Sequence, residues 1–416
     1  MAQKTYVYVT PFFPSEENWR GGFSLDAVRA LERAGWRVEV FVGRTGRDGA
    51  TTGDYEYEGV RVHRFRRVLT PCELVPFMVE GWNTRSFLRS FVAAGLRAED
   101  VSVVHVNTVF FAAYAVALKT ANPKIVAALQ HHFSPPFHLR SGRLGELPVH
   151  ATLLYRHWRK RCGQMDVQVF TSERSRGLFA RDETGGELRS HLTFGRFFKD
   201  FARTAEYVLY NGVELPVGES PICRPVGVTG REGARIGCVA NFFPGKGQMT
   251  LLWALVRLAE NGRRVKAVFV GSGETLATCR QFAEEKKLNA EFLPEMPHKD
   301  MSDFYRSLDL YVLPSSYAEG FNCTCVEAHG CGVPVIGCSG TSLEEAFGDE
   351  RDRWLVAPGD DNHLAELIGD FLDAPVRQNW KLDLDIDRIM ADWTREVCRF
   401  VDCQNGGDGQ GRGQGR

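Results

Sequence analysis

At 416 residues the chain is too long for one ordinary hydrophobic core and has the length of two domains. Its 44% hydrophobic and 25% charged content excludes an intrinsically disordered protein, and the absence of any run of 18 apolar residues excludes a membrane-spanning helix. The formal net charge of −1 hides an uneven split. Up to Glu214 there are 29 Lys+Arg against 22 Asp+Glu, or +7, and beyond it 22 against 30, or −8, so the first half is the one suited to an anionic partner.

The N-terminus, MAQKTYVYVTPFFP, carries only a short apolar run and no cleavage signal, and reads as a first strand over Tyr6–Val9 rather than a signal peptide. A helix follows over Phe23–Ala34, with apolar residues at Phe23, Ala27, Leu31 and Ala34. Further strands are predicted at Arg37–Val42, Arg61–Phe65, Val101–Val106, Lys124–Leu129 and Val167–Thr171. The pattern restarts at Arg235 (RIGCVAN) and continues with Lys266–Val270, Ala290–Leu293, Asp309–Leu313, Val333–Gly337 and Trp354–Val356, with helices over Gln248–Asn261 and Thr275–Lys287. Short buried strands alternating with helices imply doubly wound parallel sheets. The Pro- and Gly-rich stretch before Arg235 reads as the linker. The expected domains are therefore 1–215 and 216–385, followed by an amphipathic helix over 386–402 and a disordered Gly-rich tail over 403–416.

Paired glycines, Gly21 and Gly22, sit between the first strand and the first helix, where they let backbone amides approach a ligand. LQHHFSPPFHLR places His131 and His132 after a strand of the first domain. In the second domain NFFPGKG follows the first strand, and Lys246 at the helix start can neutralise a phosphate. GSGE at Gly271–Glu274 approaches a dinucleotide fingerprint, but Leu276 stands where that pattern needs glycine. The richest segment is PSSYAEGFNCTCVEAHGCGVPVIGCSG, Pro314–Gly340. Glu319 falls in the loop beyond the apolar strand LDLYVLPS, in the crevice where open α/β sheets bind ligands. A short helix is predicted from about Asn322 to Cys331, and its first-turn amides, near Phe321 to Thr324, suit a phosphate or sugar oxygen. Glu327 lies about one and a half turns in, on the face that looks back at that mouth. One carboxylate at each end of a ligand is a polyol-binding geometry.

The cysteines clustered at Cys323, Cys325, Cys331 and Cys338 beside His329 fit no standard zinc spacing and read as small buried thiols of a reducing cytoplasm. DLDID, Asp383–Asp387, lies at the approach to the final helix and is not read as a metal site.

The Pro314–Gly340 segment closely resembles the E-x7-E signature of the retaining, GT-B-fold glycosyltransferases of family 4, glycosyl transferases group 1: P-S-x-x-E-G-F, then E-A, then G-x-P-V. The likeness extends from Gly21-Gly22 to Pro358-Gly359-Asp360. It implies two Rossmann-like domains facing across a cleft, the nucleotide-sugar donor on the second and a glycan, lipid-linked or small-molecule acceptor on the first. It further implies transfer with retention, no required metal or other cofactor, and no nucleic-acid partner. Carried over residue by residue, Glu319 holds donor hydroxyls and Glu327 the nucleotide ribose. Lys246, Gly22 and the amides of Gly320, Phe321 and Asn322 serve the diphosphate. Gly21 belongs to the same Gly-Gly loop, Gly271 and Gly273 help shape the base pocket, and His131 matches the family's t-x-H-D histidine, with His132 in place of the acid. The family pattern R-x4-K-G is met at Lys246-Gly247, but Asn241 replaces its arginine and leaves one cation where two usually clamp the pyrophosphate. Tyr210–Val213 matches a structural Y-N-G-V turn, and GTSLE approximates G-G-x-x-E with its register open between Glu344 and Glu345. The location implied is cytoplasmic, with the first domain at the membrane face. Two basic, aromatic-rich stretches, Tyr155–Arg161 and Leu188–Arg203, have the composition of anionic-membrane helices. The alternatives are a non-catalytic nucleotide-sugar binder, favoured by Asn241, and an epimerase or phosphorylase of the same fold, whose extra acids or pyridoxal site are not evident.

Overall fold

The computed structural model describes residues 4–16, 18–44, 53–69, 76–132, 157–158, 160–180, 204–214, 233–315 and 321–405. The chain divides into two compact units, Met1–Tyr210 with Asp387–Arg416, and Asn211–Ile386.

In the first unit the strands are β1 (Thr5–Thr10), β2 (Arg37–Arg44), β3 (Tyr55–Tyr57), β4 (Val60–Arg66), β5 (Val101–Val106), β6 (Val126–His131), β7 (Val167–Phe170) and β8 (Ala205–Val208). They form one sheet in the order β3-β4-β2-β1-β5-β6-β7-β8. Every pairing is parallel except the β3–β4 hairpin at the edge. The chain winds outward from β1 in one direction through β2 and in the other through β5, so the strand order reverses between β1 and β5. Helices α1 (Gly22–Arg33), α2 (Pro76–Ala93), α3 (Ala112–Ala121) and α4 (Glu173–Ala180) cover the faces. The core on one face is aromatic: Phe87 of α2 packs edge-on against Phe41 and Phe65 and stacks on Tyr114 at 5.0 Å.

The second unit holds β9 (Ala234–Val239), α5 (Gln248–Glu260), β10 (Val265–Val270), α6 (Leu276–Glu285), β11 (Ala290–Leu293), α7 (His298–Arg306), β12 (Leu310–Val312), α8 (Cys323–Gly330), β13 (Val335–Cys338), β14 (Leu355–Val356) and α9 (Asp361–Asp373). Its sheet runs β11-β10-β9-β12-β13-β14, all parallel, with the reversal between β9 and β12. These are the near-continuous apolar strands that a sheet buried on both faces requires.

The final helix, α10 (Ile386–Asn405), runs three residues past the predicted end at 402. From Asp387 onward the chain belongs to the first unit, where fully buried Trp393 donates its indole N–H to the Tyr6 hydroxyl at 2.9 Å. The Gly-rich remainder lies outside the described residues.

The doubly wound architecture agrees with the sequence reading, and the differences have local causes. The Lys124–Leu129 strand lies two residues later, at Val126–His131, because Asn122 and Pro123 end α3 and the turn at 122–125 completes first. Strand β3 is too short for its alternation to register, and its pairing depends on the Glu58-Gly59 turn, both residues at positive φ (48° and 84°). Helix α2 is apolar on both its inner and outer faces, which flattens the helical contrast.

Candidate functional site

Strand β9 delivers the chain to Asn241 at the reversal of the second sheet, and the loop Phe242–Gly247 leads into α5. Gly247 is the N-cap of α5, at φ 80°, and a Cβ there would overlap the Pro314 carbonyl at the end of β12. Glycine is thus what lets this loop press against the neighbouring strand end. Just before it, the Lys246 ammonium lies 5.4 Å over the Phe243 ring. Burial pulls its pKa down from 10.5 to about 8, against a weaker opposing influence of the thiols Cys325, Cys323 and Cys238. A cation held in this way gains from an arriving anion. The Asn241 residue is exposed, and its carbonyl accepts from the Gln248 side chain at 3.0 Å.

Gly271 and Gly273 adopt φ of 142° and 146°, and a Cβ on either would run into the carbonyl of Ala240 or Phe242. Their loop is laced to the first one by Phe242 N–H to the Ser272 carbonyl (2.7 Å) and Thr275 N–H to the Phe242 carbonyl (3.1 Å). Close packing of two strand-end loops accounts for both glycines. A cavity of about 450 Å³ opens beside them, lined among others by Phe243, Gly245, Gln248, Thr275 and Pro314. Neither Lys246 nor Glu327 is part of its lining.

Glu319 and Gly320 lie outside the described residues. After them Phe321 and Asn322 are buried, and Asn322 caps α8 without a side-chain cap bond. Both polar atoms of the Asn322 amide lack a partner among the described residues. Helix α8 then presents its first-turn amides at the strand ends. It is fixed there by the Tyr311 hydroxyl, which lies 2.7 Å from Thr324 Oγ1 and 3.0 Å from the Val239 carbonyl, and so ties β12 to both α8 and β9. The Glu327 carboxylate accepts a hydrogen bond from the fully buried Tyr305 hydroxyl at 2.7 Å. Burial pushes the Cys323 thiol up to about 12, with Glu327 adding to the rise and Asn211 and Lys246 opposing it. Cys323 and Cys325 therefore sense both Lys246 and Glu327, which places cation, carboxylate and helix N-terminus in one neighbourhood. At neutral pH these thiols are protonated and act as small packing groups. Among the described residues no three His, Cys, Asp or Glu side chains gather as a metal-holding group.

In the first unit Gly21 caps α1 at φ 94°, and a Cβ there would overlap the Phe12 carbonyl. Gly22 opens the helix at the β1/β5 reversal. His131 donates through Nε2 to the Gln168 carbonyl oxygen (2.9 Å) and stacks on Phe170 at 5.1 Å. Burial lowers its pKa to about 4, so it is neutral at pH 7. His132 packs on Phe23 at 4.9 Å, and burial and then His131 bring it to about 3.

Three further features were not foreseen from the sequence, or had been left open by it. Tyr305, which seats Glu327, and Asn211, which donates to Cys323 Sγ at 3.2 Å, come from segments distant in the chain. Glu344 rather than Glu345 folds back on the GTSLE loop, accepting from Gly340 N–H at 2.6 Å. In the stretch Tyr155–Arg161, Trp158 is buried against Phe110, and His157 and Arg161 both bind Glu80. Within that stretch the Trp158 indole is turned inward, while Tyr155, Arg156 and Arg159, like Leu188–Arg203, lie outside the described residues.

Residues 227–383 match the family described as glycosyl transferases group 1. This domain belongs to that family. A GDP-mannose-dependent monoacylated alpha-(1-6)-phosphatidylinositol monomannoside mannosyltransferase of Corynebacterium glutamicum is 29% identical over 170 residues, 39% of this chain and 44% of the relative. A D-inositol 3-phosphate glycosyltransferase of Mycolicibacterium smegmatis is 31% identical over 174 residues, 40% of this chain and 39% of the relative. The chain thus spans less than half the length of either. The structure of Anabaena HepE in complex with UDP-glucose superposes with a TM-score of 0.61 at 16% identity, covering 97% of this chain and 98% of that one. The group 1 domain and its partner unit are accordingly the two Rossmann-like domains of the GT-B fold class.

Proposed function

We propose that this protein is a glycosyltransferase that moves a hexosyl unit from a nucleotide-sugar donor to a glycan, lipid-linked or small-molecule acceptor, with retention of configuration and without a required metal. The observation that carries the reading is the grouping of Lys246, the α8 N-terminus and Glu327 at the strand reversal of a group 1 domain. Breaking a glycosyl–phosphate bond builds negative charge on the leaving diphosphate, so fixed donors at that position are the main lever on rate. Lys246 and the amides around Phe321 and Asn322 are assigned to it, Glu327 to the ribose and Glu319 to the sugar hydroxyls. His131, as a neutral imidazole, is assigned a hydrogen-bonding role toward the sugar rather than that of a cation. The phosphatidylinositol mannoside and inositol phosphate relatives favour a phosphorylated or lipid-linked polyol acceptor, taken from a cytoplasmic membrane face through the basic first unit.

A non-catalytic nucleotide-sugar binder is the second reading. It is favoured by the exposed Asn241, which leaves Lys246 without the arginine of the family pattern. A panel of nucleotide sugars separates the two. For a transferase, one donor should raise the melting temperature by mass action and release its nucleoside diphosphate. Stabilisation with no release under any acceptor would leave only binding.

A further inference from the structure

The fold leaves the side chain of Asn322 without a hydrogen-bonding role. The residue sits at the start of α8 with 2% exposure, and its backbone carbonyl opens the helix, accepting from the N–H groups of Cys325 (3.0 Å) and Val326 (3.2 Å). An asparagine in this position ordinarily turns its Oδ1 onto a first-turn N–H, and here the side chain makes no such bond. Neither Oδ1 nor Nδ2 has a partner, and among the described residues this is the one buried side-chain amide with both polar atoms unpaired. Gln378 shows what a structural amide does in the same unit. It accepts from the Val335 N–H and from the Trp380 indole, each at 3.0 Å, and donates to the Val335 carbonyl at 2.7 Å. Asn211 and Gln248 are likewise committed, to Cys323 Sγ and to the Asn241 carbonyl. A buried amide that binds nothing costs stability, so its presence at the ligand end of the sheet calls for a partner that arrives from outside.

We propose that the Asn322 side chain reads two neighbouring hydroxyls of the donor's sugar and so sets which nucleotide sugar is accepted. The inference deepens the functional reading and rests on it. That reading puts the ribose at Glu327, about one and a half turns into α8, and the diphosphate at the first-turn amides. The residue that opens the helix is then the next contact along the ligand, toward the sugar. The chemistry of the amide also separates it from the diphosphate. An anion would satisfy Nδ2 and leave Oδ1 facing negative charge, whereas a pair of hydroxyls can donate to Oδ1 and accept from Nδ2 together. Because both atoms are buried, a sugar lacking one of those hydroxyls leaves the amide unpaired again and is rejected.

The test is calorimetry with UDP-glucose, GDP-mannose and their monodeoxy-sugar analogues, each set against the bare nucleoside diphosphate, on the parent, Asn322→Leu and Asn322→Ser. Release of nucleoside diphosphate is followed in parallel. Leucine keeps the volume without the polar atoms and serine is a good helix cap, so both variants should melt at or above the parent's temperature. Both should bind the nucleoside diphosphate as the parent does. Affinity for the intact nucleotide sugar should fall about 10- to 100-fold, through the loss of two buried hydrogen bonds. The parent should disfavour one or two neighbouring monodeoxy sugars by about tenfold or more, and Asn322→Leu should shrink that preference to about twofold or less. Lower melting temperatures in both variants would make Asn322 a structural residue and overturn the proposal. So would an equal loss with the bare diphosphate, which would place the amide at the phosphates. A parent indifferent to the missing hydroxyls, or a preference that survives in Asn322→Leu, would overturn it as well. A parent that gains affinity from the sugar and loses it in the variants, yet transfers none, would uphold the contact and count against the transferase reading alone.

Discussion

Lys246→Met removes a largely buried cation from the proposed donor neighbourhood, and its two consequences have opposite signs. In the folded protein burial holds the lysine at about 8 instead of 10.5, which corresponds to up to about 3 kcal/mol against the ammonium at neutral pH. The folded-state value lies below the unfolded one. Between about pH 8 and 10.5 the unfolded chain therefore binds more protons, and the parent's stability rises with pH across that window. Below pH 8 the penalty is fully present. Methionine fills similar volume without charge, so the variant should be more stable at pH 7 by about 1–3 kcal/mol, with the gain shrinking toward pH 10. Nucleoside diphosphate binding should weaken by about 1.5–3 kcal/mol, roughly 10- to 150-fold, because a charge-assisted contact is lost. Urea unfolding at pH 7 and pH 9.5 reads the first effect, and calorimetry with nucleoside diphosphates reads the second. In the parent, affinity should fall as pH rises through about 8, and binding near that pH should take up a proton, visible as a dependence on buffer ionisation heat. A variant that is less stable at pH 7 yet binds the nucleotide undiminished would refute the reasoning.

Tyr305→Phe should weaken nucleoside diphosphate binding about five- to tenfold by unseating Glu327, and Glu327→Ala should weaken it further; equal affinity in calorimetry would remove Glu327 from the ribose. Glu319→Ala should leave that affinity intact and depress transfer, so parallel losses in both glutamate variants would end the division of roles. Asn241→Arg should tighten the donor by restoring a second cation, and reduced affinity would mean that the pocket is built around asparagine. His63, buried between Glu39 (3.1 Å) and Asp54 (2.8 Å), makes a separate stability prediction. Burial alone would lower its pKa, but the two carboxylates outweigh that and raise it, so its contribution is complete below pH 6.5 and is lost as pH climbs through the raised value. His63→Phe should cost about 2–3 kcal/mol at pH 6 and less at pH 9, and a pH-independent difference in denaturant midpoint would contradict it.

The parts of this protein that were legible from sequence are those fixed by local chemistry. Apolar strands such as Leu310–Val312 announce themselves because a parallel sheet must bury both faces, and Gly247 follows from a backbone that no side chain could enter. The α8 segment was readable because cap, carboxylate and turn lie within one short stretch. What escaped depends on contacts between distant segments. Tyr305 reaches Glu327 from another helix, and no spacing rule relates them. The glycines Gly271 and Gly273 carry the pattern of a ligand loop, yet their conformations are accounted for by packing on Ala240 and Phe242. Trp158 and Trp82 are both aromatic residues in basic surroundings, and only the fold decides that the first is buried and the second exposed.

The central claim is that the grouped cation, helix terminus and carboxylate activate a nucleotide sugar for transfer. The most direct measurement is nucleoside diphosphate release from a panel of nucleotide sugars by the parent and by Lys246→Ala, each supplied with phosphorylated polyol and lipid-linked acceptors. Turnover is predicted with one donor class, with an axial or equatorial anomeric linkage in the product that matches the donor's, and with a loss on the order of a hundredfold in the variant. Release that is unchanged by Lys246→Ala at saturating donor, or a product of inverted configuration, would contradict it.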